Sequence, residues 1–137
     1  MFSSIPNLSA AQTLSSTGET KVKLNTVITS RGTDFTLSTT NNTVTCNFNG
    51  YIEVSGQVQF SNAANTTTHN LYIRKNSTTV GRSLNAAYTN GGNKTVWITP
   101  IIISVSNGDA ITLECYGSNN DRVNDSENGT NMTVKRI

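Results

Sequence analysis

The sequence predicts an all-β protein, an antiparallel β-sandwich or barrel of eight to ten strands. Three observations predict it. Ile52, Val54, Gly56, Val58 and Phe60 alternate strictly with polar residues, which is the two-residue period of a strand with one wet face. Short runs of this kind recur every 8 to 12 residues or so, separated by Gly and Asn turn signals, and no helical period of useful length interrupts them. Asn, Ser and Thr dominate the composition, with Thr favouring strands and Asn favouring the turns between them. At 137 residues the chain matches one domain that buries about two-thirds of its unfolded surface.

Residues 1–20 carry isolated Phe2, Ile5, Leu8 and Leu14 among Ser, Thr, Ala and Gln, too sparse for an amphipathic helix and too irregular for a strand. They read as an arm, either frayed or used for attachment, with Phe2, Ile5 and Leu8 as its apolar anchors and Lys21 and Lys23 beside them. The folded domain runs over residues 21–137. Strands are expected at Val22–Ile28, Asp34–Leu37 and Val44–Phe48, with turns at Ser30-Arg31-Gly32, Asn41-Asn42 and Asn49-Gly50, the last a strong tight-turn dipeptide. The Ile52–Phe60 strand follows. A polar bridge over Asn62–Thr68 leads to a hairpin of Leu71–Ile73 and Val80–Leu84 closed by Lys75-Asn76-Ser77-Thr78.

Between Thr95 and Val105 apolar residues occur at both parities, as in a strand buried on both faces. Pro100 within it cannot donate to a ladder, so it marks a bulge, an edge position or a crossing between sheets. Trp97 lies in this most apolar strand and reads as a core residue. Asn107-Gly108-Asp109 turns the chain into Ala110–Tyr116, and Met132–Ile137 closes it after a polar loop over 117–131.

The inventory for catalysis is poor. There are eight acids, mostly isolated, and one histidine, His69, which reads as solvent-facing. No phosphate loop, nucleophile elbow or Cys/His metal pair occurs, so no enzyme, cofactor or metal is expected. Asp121, Asp125 and Glu127 concentrate oxygen ligands in the 117–131 loop, but their spacing fits no standard calcium loop. Ten Lys and Arg are spread thinly and the net charge is +2, which argues against a nucleic-acid partner. The longest apolar run is Ile101–Ile103, far short of a membrane span. The N-terminal residues lack the pattern of a secretion signal, so Cys46 and Cys115 are expected as reduced, packed thiols. Tyr88, flanked by Asn85 and Asn90, together with Trp97 is a conceivable carbohydrate platform.

Phe35 with Asn41, then Phe48-Asn49-Gly50-Tyr51-Ile52-Glu53-Val54, Leu71-Tyr72-Ile73-Arg74-Lys75-Asn76 and Ile101–Leu113 with Gly108-Asp109 resemble the jelly roll shared by tumour necrosis factor and the globular heads of complement and collagen-like proteins. The resemblance covers about residues 22–137. Ile52 and Val54 stand where that family usually has aromatic residues, and Asn76-Ser77 replaces the common Asn-Gly turn. With no collagen stalk or membrane anchor in view, what remains similar are the bacteriophage virion proteins of this jelly-roll type, which have Thr/Asn-rich strands.

The resemblance implies a homotrimer with Tyr51, Trp97, Ile101, Ile103 and Tyr116 as interface candidates, although both apolar parities could equally be buried within one domain. It implies a non-enzymatic capsid decoration protein, made in the host cytoplasm and bound through its arm to the major capsid protein or another virion protein at the virion surface. The alternative is a receptor- or carbohydrate-binding head at a tail or fibre tip. There Tyr88, Asn90, Asn93, Asp121 and Asp125 in the loops would contact a host surface glycan.

Overall fold

A computed structural model describes residues 2–5, 12–14, 18–24, 26–29, 32–63, 68–83, 86–87, 92–117, 122–123 and 129–137. These form fourteen strands and no helix. In chain order they are β1 (Phe2–Ile5), β2 (Gln12–Thr13), β3 (Gly18–Lys21), β4 (Thr26–Thr29), β5 (Phe35–Ser38), β6 (Thr43–Cys46) and β7 (Gly50–Ala63), followed by β8 (Thr68–Lys75), β9 (Thr78–Arg82), β10 (Ala86–Ala87), β11 (Gly92–Val105), β12 (Ala110–Gly117), β13 (Arg122–Val123) and β14 (Asn131–Arg136). All pairings are antiparallel, and they make two seven-stranded sheets. The all-β sandwich expected from the sequence is what the chain forms.

In the first sheet β7 is the centre. Along one edge it pairs with β11 over almost its whole length, and along the other with β14 and then β13. Beyond β14 lie β1 and β4, and beyond β13 lies β2. The second sheet is built on β8 and β12, with β9 and β10 outside β8, β6 and β3 outside β12, and β5 beyond β6. Between the sheets lies an apolar core that includes Ile52, Val54, Val58, Phe60, Leu71, Ile73, Ile111, Leu113 and Val134.

The two sheets approach closely at Gly56. A Cβ there would lie 2.7 Å from the Leu113 Cδ1 of the facing sheet, so the alternation that puts residue 56 inward needs a residue without a side chain.

The segment expected as a free arm is drawn into the sandwich at its described residues. Backbone Phe2–Ser4 pairs with Met132–Val134, Ser3–Ile5 with β4, and Gly18–Lys21 with β12. The physical reason is the exposed edge of β14, a row of unpaired amides and carbonyls that another segment of the same chain satisfies. Leu8 lies outside the described residues. Lys21 and Lys23 are exposed. The predicted Val22–Ile28 strand is broken, because Val22 and Leu24 are buried coil between β3 and β4.

The Thr95–Val105 strand is buried on one face only, against expectation. Ile98 lies opposite Gly56 and Ile101 opposite Val54, so β11 takes three steps where β7 takes two. The extra residue of this bulge, at Thr99-Pro100, reverses the parity of every side chain that follows. Val96 and Ile98 before it and Val105 after it are buried, and Ile101 and Ile103 pack against the core. Apolar residues at both parities therefore record a bulge, the first of the roles Pro100 allowed.

Candidate functional site

The outward face of the β11–β7–β14 sheet follows directly from that register. Tyr51, Glu53, Ser55, Gln57 and Gln59 of β7 all point away from the core, alternating with the buried even positions. Tyr51 is 60% exposed, Trp97 61%, Ile102 65% and Ile137 64%, and exposed apolar side chains of this size gathered on one face mark a contact surface. Ile102 sits across from Glu53, Tyr51 across from Ser104, and the Ile137 amide donates to the Tyr51 carbonyl at 3.1 Å. Tyr51, Ile102 and Ile137 thus share one end of the sheet. Trp97 is across from Gln57, six residues and about 20 Å along β7.

Trp97 is therefore a surface residue, contrary to the core position read from the sequence. The rule of alternation was right, but its phase at 97 belongs to the segment before the bulge. Of the other interface candidates, Tyr51 is outward, while Ile101 and Ile103 turn inward against the core. Tyr116 is half-buried on the other sheet, opposite Asn70 and Glu19. Ile102 and Ile137, which the sequence reading did not single out, complete the apolar end. The signal for Ile102 was Pro100, because a bulge there puts residue 102 outside.

Of the loop residues considered for ligand contact, Tyr88, Asn90, Asp121 and Asp125 lie outside the described residues, and Asn93 takes its place in β11. Glu127 is also outside them. Among the described residues no group of three or more His, Cys, Asp or Glu gathers as a metal site.

The opposite outward face carries paired charges instead of apolar bulk. The Arg74 and Arg82 guanidiniums each lie 5.7 Å from the centre of the Tyr72 ring. Arg74 also pairs with Glu19 and, through Nε at 2.8 Å, with Glu114. Its Nη1 donates to the Ser77 carbonyl at 3.1 Å. This face neutralises itself.

His69 is fully buried rather than solvent-facing, its ring 4.6 Å from that of Phe60. It shares the inward parity of Leu71 and Ile73.

One end of the sandwich is fastened by Asp109. Its Oδ2 accepts from the Ser106 amide at 2.8 Å and its Oδ1 from Asn76 Nδ2 at 2.6 Å. Asn76 Oδ1 in turn accepts from the Ala110 amide at 2.9 Å. The Ser106 and Asn76 bonds, with help from the Lys75 ammonium, hold the Asp109 carboxyl below its ordinary value despite partial burial.

Cys46 and Cys115 are both buried free thiols. Cys46 lies at the Asp109 end of β12 and Cys115 about five residues further along it, roughly 15 Å or more apart, beyond disulfide reach. Burial, assisted by the Asp109 carboxylate, pushes the Cys46 thiol up to about 11.

The chain superposes on solved structures almost end to end. Murine APRIL, crystallised at pH 5.0, matches with a TM-score of 0.79 and 16% identity over 99% of this chain and 97% of that one. Eiger TNF from S. frugiperda matches with a TM-score of 0.80 and 11% identity over 99% and 90%. The fold is a tumour-necrosis-factor-like jelly roll. No protein-family model matches the sequence, and no curated protein matches it either. At these identities the likeness is one of fold, and function in the TNF-like jelly roll has to be argued from the faces of its own sheets.

Proposed function

We propose that this TNF-like jelly roll is a non-enzymatic structural or binding protein that acts as a homotrimer, its protomers meeting through the Tyr51–Ile102–Ile137 end of the β11–β7–β14 face. The supporting observation is the outward placement of those three side chains at one end of a face whose further β7 positions, Glu53, Ser55, Gln57 and Gln59, are polar. Burying each in a protomer contact contributes about 1.5–3 kcal/mol, and a closed ring of three also hides sheet edges that would otherwise aggregate. No reaction is assigned, because the groups set beside this patch by the strand register are Ser104, Glu53 and Lys135, which make up no catalytic constellation.

At its finest the reading is a virion-surface decoration protein. Its Thr/Asn-rich strands resemble those of phage virion proteins of this fold. A trimer that bridges capsid subunits would stabilise the assembled state by mass action, since it binds that state alone. With β1 tied into the sandwich, the contact to the particle falls to exposed groups such as Lys21 and Lys23 rather than to a free arm. Electron microscopy of the isolated oligomer tests the arrangement. Three sandwiches meeting at the Tyr51–Ile102–Ile137 ends of their β11–β7–β14 faces are expected, whereas three meeting through the Tyr72 face would overturn it. On intact particles, density for the trimers over the head surface supports decoration, and density confined to the tail tip supports the receptor-binding alternative.

A further inference from the structure

Trp97 stands apart from the apolar end of its sheet, and what surrounds it is of a different chemistry. Directly across from it is Gln57, and directly across from Gln57 is Asn131, so an indole and two carboxamides form one row over three strands. Beneath the row the bulge at Thr99-Pro100 lifts β11 away from Ser55 and leaves a shallow concavity of about 250 Å³, lined by these residues. No charged side chain lines it. On β7 and β14 the outward positions Glu53 and Lys135 stand opposite each other two rows away.

From this arrangement we infer that the hollow is a binding subsite for one uncharged pyranose ring of a glycan. The C–H face of a sugar ring is apolar with a slight positive edge and stacks on the negative face of an indole. Vicinal hydroxyls each donate and accept, and a carboxamide offers both functions side by side. Each carboxamide has two donor hydrogens and two acceptor lone pairs, so Gln57 and Asn131, which already have partners within the protein, keep capacity for a sugar hydroxyl. The volume is below that of sites for drug-sized ligands, about 300 Å³ and upward, and suits one ring rather than a chain. Nucleotides and acidic sugars are disfavoured, because the hollow offers no cation for a phosphate or carboxylate.

The inference is independent of the trimer, which is assigned to the other end of the sheet. It requires only that Trp97 remain accessible in the native oligomer.

Trp97 is the single tryptophan of the chain, so it reports on its own site. The experiment titrates the full-length protein with methyl pyranosides of glucose, galactose, mannose and N-acetylglucosamine, and with glucuronic acid as the acidic counterpart. Tryptophan emission, acrylamide quenching and saturation-transfer NMR are recorded.

At least one neutral pyranoside should bind saturably in the millimolar range, shift the emission and protect Trp97 from acrylamide. Gln57→Ala and Asn131→Ala should each weaken binding about 2- to 10-fold, the loss of one hydrogen bond. Trp97→Ala should abolish the saturation transfer while leaving circular dichroism and oligomer mass unchanged.

Absence of transfer to every neutral pyranoside, transfer that survives in Trp97→Ala, or preference for glucuronic acid would each overturn the assignment. So would a Trp97 already shielded from acrylamide in the sugar-free protein, which would put a neighbouring protomer in the hollow. To separate a terminal from an internal residue of a natural glycan, the same protein is applied to immobilised neutral oligosaccharides. Binding only to chains ending in the preferred ring identifies the free end, and binding to none despite pyranoside transfer overturns the glycan source.

Discussion

Ile98 and Ile101, three residues apart on β11, both face the core, because they oppose Gly56 and Val54, two residues apart on β7. The extra residue between them sets the phase of everything that follows it and puts Ile102 on the surface. Deleting Thr99 should therefore be far worse than mutating it. The deletion turns Ile101, Ile103 and Val105 outward, at about 1.5–3 kcal/mol for each large apolar side chain, a loss comparable to the whole stability of a small domain. Thr99→Ala at this exposed site should stay within about 0.5 kcal/mol. Urea titration of the two variants checks the contrast, and a folded deletion variant with an unchanged midpoint would contradict the register.

The Asn76-Ser77 turn holds both central residues in the left-handed region, at φ 48° and 73°. Serine adopts this conformation at a cost that glycine avoids. Ser77→Gly should raise stability by about 0.5–1 kcal/mol, measured as a higher midpoint with an unchanged denaturant slope. Its contact to Arg74 is through the Ser77 carbonyl, which the substitution retains.

Asp109 should make the fold acid-sensitive in a defined direction. Its carboxyl is held below the ordinary value by the Ser106 amide first and Asn76 second. A folded value below the unfolded one contributes stability that is fully present at neutral pH and lost as pH falls from about 4 downward. Asp109→Asn should cost about 1–3 kcal/mol at pH 7 and show a flatter decline below pH 4. Equal acid sensitivity of the two proteins would remove Asp109 from the account.

Both thiols should be silent toward a thiol reagent at pH 8 in the native protein. Burial raises the Cys46 thiol to about 11, so almost no thiolate exists there, and Cys115 is equally buried. Two thiols should react once denaturant is added. None reacting after unfolding would mean a disulfide, which the separation along β12 forbids.

Much of this architecture was readable in the residues. Ile52–Phe60 gave its two faces by simple alternation, and Asn76-Ser77 and Asn107-Gly108 gave their turns, since both signals are local; Asn49-Gly50, expected to close a hairpin, instead carries the chain from β6 in one sheet to β7 in the other. What alternation alone could not supply was its phase across an inserted residue. Pro100 announced a bulge as one option among three, and choosing that option moves Trp97 to the surface and Ile101 and Ile103 to the core. The pairing of Phe2–Ile5 with β14 was not legible, because it depends on a strand edge about 130 residues away in sequence. His69 was misread for a different reason: its polarity outweighed its phase with Leu71 and Ile73, although a ring packed on Phe60 is buried as readily as another aromatic.

The central claim is self-association through Tyr51, Ile102 and Ile137, and sedimentation equilibrium of the full-length protein tests it most directly. Over a range of concentrations the native chain should fit three times its own mass, and Ile102→Lys combined with Tyr51→Glu should fit the mass of a single folded chain with unchanged circular dichroism. A native protein that stays monomeric at every concentration, or a double variant that remains trimeric, would contradict the account.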